Sequence, residues 1–214
     1  MKYILKNSVH LFFICVCLIF LTNLIVFTDT KVVLAEQNNS LPTPRTLFSL
    51  LPTGIFENTG VELSEEEQQK LIDNGVSEDW IISQETSNEL IINELSADNK
   101  VVLHVFNHNQ GGVVVALGAQ SGLICALELW RYDAKGKIIP MAVPLEPNKN
   151  DLFLPNALSA EIDTTIMLCL DHDKIKVKPI LWGKDGVVNQ KEDFEIHFFW
   201  NGNSFIQSRS PLNQ

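Results

Sequence analysis

The sequence predicts an α+β, predominantly β fold. It is an antiparallel meander sheet, in one layer or folded into two, with one N-terminal helix packed on it. Three observations lead there. From Trp80 onward apolar residues recur with a period of two. The connections between these runs are short and made of turn residues, such as Asp133-Ala134-Lys135-Gly136, Asp171-His172-Asp173 and Asn201-Gly202. Loops of that length join antiparallel neighbours, because a parallel crossover needs about a dozen residues or more. A single helical signature with both ends marked precedes the runs.

In chain order, residues 1–35 come first and read as a signal peptide. Lys2 and Lys6 precede the apolar stretch Leu11 to Phe27, which only Thr22 and Asn23 interrupt, and Val33-Leu34-Ala35 offers the small residues that signal peptidase reads. Cleavage is expected after Ala35. The alternative is an uncleaved anchor, although the stretch reaches only roughly 25 Å as a helix against a bilayer core of about 30 Å. Ile14 and Val16 precede Cys15 and Cys17, so neither cysteine has the small neighbour of a lipoprotein signal. The expected location is outside the cytosol, periplasmic or extracellular.

Residues 36–57, rich in Asn, Ser, Thr and Pro, read as a tether, with Leu47, Phe48, Leu50 and Leu51 able to dock on the body. Residues 58–214 then form a single exported β-rich domain. Its helix spans about Ser64 to Asn74: Ser64 and Glu67 make a capping box, Glu65 and Glu66 favour the positive end of the dipole, and Gly75 supplies a left-handed stop. Leu63, Leu71 and Ile72 must find a sheet, since so short a helix is marginal alone.

The expected strands are Trp80 to Ser83, Glu89 to Glu94, Lys100 to Phe106, Gly112 to Leu117, Leu123 to Tyr132, Lys137 to Met141, Thr165 to Leu170, Lys174 to Trp182, Phe194 to Trp200 and Ser204 to Gln207. Val113 to Leu117 is apolar on both faces and belongs inside. Lys174 to Leu181 carries lysines on one face and Pro179, which reads as an edge. Gly118 to Gly122 reads as a turn. Pro140 to Asn156, with four prolines, is the longest expected surface loop and a candidate contact region.

Composition narrows the function classes. The chain has 214 residues, 45% of them hydrophobic, with 12 Phe and a net charge of −10. That content supports a real core and argues against disorder. The acidic balance repels phosphates, so nucleic acid is not an expected partner. Loss of the leader removes Lys2, Lys6, Lys31 and Asp29 and makes the remainder more acidic still. Cys125 and Cys169 then remain, as a bridge or as two buried thiols.

Catalytic chemistry is weakly signalled. His104 and His108 form H-x-x-x-H, but on a strand they lie about 13 Å apart, too far to share an ion. Asp171-His172-Asp173 reads as a solvated hairpin tip. GAQSG has its Ser121 displaced from the centre that a nucleophile elbow requires. Glu128 and Asp163 are the carboxylates whose settings most resemble burial, with Glu128 favoured as exposed. No catalytic residue, metal or cofactor is assigned. The expected function is a non-catalytic binding or interaction module for a protein or small-molecule ligand. Trp130, Trp182, Trp200, His104 and His108 are its candidate contact residues. The alternatives are an exported hydrolase or metal-dependent enzyme built on His104, His108, His172 and Asp171, and an envelope structural protein held by an uncleaved N-terminal anchor.

Overall fold

The computed structural model describes residues 41–52, 54–57 and 59–212. The signal-peptide reading of residues 1–35 and the first residues of the tether lie outside them. No helix among the described residues is long and apolar enough to cross a membrane.

Helix α1 (Pro44–Phe48) lies within the stretch read as a tether. Thr43 caps it by accepting from the Thr46 backbone amide, and Pro44 takes the first turn, where a missing N–H costs nothing. Leu47, Phe48 and Leu51 fall on one face and are buried, as is Phe56 of the short α2 (Gly54–Glu57). The Thr-Pro composition that suggested a linker is here a helix start. Helix α3 (Glu65–Asn74) has the predicted ends: Ser64 and Glu67 form the capping box, and Gly75 closes it at φ 78°.

Six strands follow in chain order as one antiparallel sheet: β1 (Trp80–Glu85), β2 (Glu89–Glu94), β3 (Asn99–Asn107), β4 (Val113–Ser121), β5 (Ile124–Tyr132) and β6 (Ile138–Met141). Beyond them α4 (Lys149–Leu152) interrupts the Pro140 to Asn156 loop, burying Leu152 and the adjacent Phe153. The second sheet has the order β11-β10-β8-β7, from β7 (Asp163–Asp171), β8 (Lys174–Gly183), β10 (Phe194–Trp200) and β11 (Phe205–Pro211), with β9 (Gly186–Val188) paired to β8.

The first sheet is covered on both faces. Leu90, Ile92, Leu103 and Leu117 meet Leu47, Phe48 and Leu71 of the helices. The other face presents Phe106, Val114, Ala116 and Leu129 to Leu170 and Phe205 of the second sheet. Every residue from Val113 to Leu117 is therefore fully buried, as its unbroken apolar run predicts. β7 packs tightly on Gly118, where an added Cβ would stand 2.6 Å from Leu170 Cβ. Cys125 of β5 and Cys169 of β7, with Cα atoms 5.5 Å apart, form a disulfide between the sheets.

Two readings of local order are corrected. β8 is not an edge: it pairs with β7 along its length and with β10 through Lys174, Ile175 and Lys176. Beyond, β9 pairs with it only at Leu181, Trp182 and Gly183, so Pro179 sits where that side of the ladder is empty. Gly118 to Ser121 is strand rather than turn; the reversal falls at Gly122, at φ 55°, with Ser121 opposite Ile124.

Candidate functional site

Glu89, at the start of β2, is 6% exposed. Buried carboxylates need partners, and this one draws hydrogen bonds from two elements. β1 supplies Gln84, whose Nε2 donates to Glu89 Oε2 at 2.8 Å. A bulge between Ile82 and Gln84 makes that possible, because it sets Gln84 opposite Ile91, on the face that Glu89 shares with His104. The same bulge turns Glu85 to the helix face, where Arg45 of α1 pairs with it. The β7–β8 hairpin supplies His172, whose Nδ1 lies 3.0 Å from Glu89 Oε1. His172 occupies the left-handed region at φ 56°, uncommon for a residue with a Cβ, and its side chain is 60% exposed.

His104, opposite Glu89 on β3, completes the cluster. Its Nδ1 stands 3.8 Å from Glu89 Oε1, beyond hydrogen-bond distance, and is a buried polar atom without a partner. Burial pushes its pKa down, against the pull of Glu89 and Asp173 in the other direction. The result is a carboxylate flanked by a sealed imidazole and a solvent-facing one, a pairing able to hold or pass a proton through His172.

The His104 ring also begins an aromatic series. Its centroid is 4.5 Å from that of Phe106; Phe106 meets Phe205 edge-on at 5.4 Å; Trp200 lies 5.0 Å from Phe205 and 5.8 Å from His108. Trp200 Nε1 donates to the Asn107 carbonyl oxygen at 2.7 Å, which ties the β10 end to the β3–β4 turn.

Comparison with family models, curated proteins and solved structures finds no match to this chain.

Three of the five predicted contact residues, His104, His108 and Trp200, are thus gathered into one series of rings, with Trp200 half-buried in it. The other two stand apart. Trp130 packs half-buried against the helix-side core and donates from Nε1 to Glu128 Oε2 at 3.1 Å. Trp182 is 43% exposed on the second sheet, bonded to Thr165 Oγ1 at 2.9 Å. Glu128 is half-buried rather than exposed, and Asp163 is exposed. The buried carboxylate that sequence reasoning missed is Glu89: ELIINE looks like any strand opening, and what covers it arrives 83 residues later in the chain. Among the described residues no group of three or more His, Cys, Asp and Glu is placed to hold a metal ion.

Proposed function

We propose that the chain is an exported, non-catalytic binding or interaction module whose contact surface is the Pro140 to Asn156 loop. The observation that carries this reading is Leu145. It is 90% exposed, between Pro144 and the buried Pro147, with Val143 and Leu154 also left in solvent at 41% and 48%. Leucine presented on a segment stiffened by proline, and anchored where Pro147 is buried, is suited to insertion into a partner. The Cys125–Cys169 disulfide supports an oxidising compartment. A photo-crosslinking residue at position 145, in the native host, is expected to yield one discrete adduct that the same probe at exposed Lys184 does not. Equal, diffuse labelling at both positions would remove the reading. Mass spectrometry of the native N-terminus tests export, with a chain beginning at Glu36 expected and an intact leader favouring the anchored envelope protein.

A second reading, an exported hydrolase, is supported by the convergence of Glu89, His104 and His172. A hydrolase of this kind loses turnover when His172 becomes alanine. A binding module keeps its position-145 adduct after the same change.

A further inference from the structure

We propose that the cleft between the two sheets is a binding site for a small phosphorylated polyol, such as a sugar phosphate. The cleft measures about 250 Å³. Lys100 and Gln120 line it from the first sheet, and Lys176, Lys178 and Asp171 from the second, beside the disulfide sulfur of Cys169.

The register explains how cations converge there. Lys100 and Gln120 are cross-strand partners on the face of β3 and β4 turned toward the second sheet. Lys176 and Lys178 alternate along β8 opposite Cys169 and Met167, on the face away from the Ile175 and Val177 core. Lys100 thus comes from one sheet and Lys176 and Lys178 from one strand of the other, and the disulfide joins the two sheets beside them.

In a chain of net charge −10, three lysines in one cleft are a local reversal of sign. Like charges brought together cost free energy unless anions offset them. Lys176 has such a partner, Glu195 Oε1 at 3.0 Å. Lys100 and Lys178 form no ion pair among the described residues, and both are half-buried. A tetrahedral oxyanion offers several acceptors to lysines acting as point charges, whereas a planar carboxylate is best matched by the arginine fork that this cleft lacks.

Asp171 sets the rest of the ligand. A carboxylate on the wall repels a bare dianion but accepts hydrogen bonds from hydroxyls, and the Gln120 amide adds polar capacity. The volume is below the range of about 300–1,000 Å³ common for drug-sized ligands, which limits the occupant to a single small ester. The site shares no residue with the Leu145 loop, so the two proposals stand or fall separately.

The test is a nuclear magnetic resonance titration of the full domain with glucose 6-phosphate, glucose and inorganic phosphate as separate probes. Glucose 6-phosphate is expected to shift the amides of residues 100, 120, 171, 176 and 178, with affinity falling as salt is added. The double variant Lys100→Gln/Lys178→Gln, its fold checked by an unchanged urea midpoint, is expected to bind at least about tenfold more weakly. Asp171→Asn is expected to lose the preference for the ester over inorganic phosphate. Absence of shifts at these residues, unchanged affinity in the double variant, or equal binding of phosphate and its ester would each overturn the proposal.

Discussion

His172 Nδ1 lies 3.0 Å from Glu89 Oε1, joining the tip of the β7–β8 hairpin to the opening residue of β2. The bond secures the second sheet to the first just three residues beyond the disulfide-bonded Cys169, and it makes Glu89 sensitive to any change that moves the hairpin. Glu89→Gln preserves shape but turns one acceptor oxygen into a donor among donors. A loss of about 1–3 kcal/mol is expected, read as a lower urea midpoint with unchanged slope. His172→Gly relieves the positive φ while deleting the bond, so it should cost less than His172→Ala.

Gly118 packs directly against Leu170 of the second sheet. Gly118→Ala places a methyl carbon 2.6 Å from Leu170 Cβ, a contact that side-chain rotation cannot relieve because Cβ is fixed to the backbone. Destabilisation of about 1–3 kcal/mol is expected. Trimming Leu170 leaves its Cβ in place, so Gly118→Ala/Leu170→Ala should not recover that loss. Leu170→Gly should, and a double-mutant cycle between positions 118 and 170 reads the difference.

Acid should weaken the fold through its buried histidines. Burial lowers the folded-state pKa of both His104 and His197 below the ordinary value of 6.5. The unfolded chain then takes up protons first as pH falls. The stability from neutral imidazoles is therefore complete above about pH 6.5 and is lost progressively as pH falls toward and through the folded-state values. Urea titrations from pH 7.5 down to 5 are expected to show that decline, and His104→Gln to flatten it. Glu89 and Asp173 on His104, and Glu195 and Asp171 on His197, oppose the effect without reversing it. A stability that is flat or rising over this interval would contradict the assignment.

The disulfide spans 44 positions of sequence. Loop-closure entropy for such a span is worth about 4 kcal/mol. Cys125→Ser/Cys169→Ser should lower the melting temperature markedly while leaving the first sheet in place. Hydrogen exchange is the discriminating measurement: protection should fall in β7 and β8 before β3 and β4.

Local chemistry made the elements legible. Ser64, Glu67 and Gly75 mark the ends of α3 by groups that act within a turn, and the doubly apolar Val113 to Leu117 announces a strand with neighbours on both faces. Pairing order was not legible. The lysines of β8 report which face lies away from the Ile175 and Val177 core, whereas centre or edge is settled by distant strands. The Glu89 cluster was hidden for the same reason: it needs a bulge at Ser83, the β2–β3 register and a later hairpin, none of which leaves a mark in ELIINE. His104 and His108 were visible as a pair, but their link through Phe106 and Trp200 required the second sheet to fold back.

The six-strand meander also dictates a timetable. Each of its strands pairs with the one just made, so residues 80–141 can assemble on local contacts while the chain beyond is still emerging. Until β7 arrives, Phe106, Val114, Ala116 and Leu129 form a sticky, lidless surface. That interval, rather than the finished molecule, is when self-association threatens, and a chaperone that shields the nascent face would be needed only briefly.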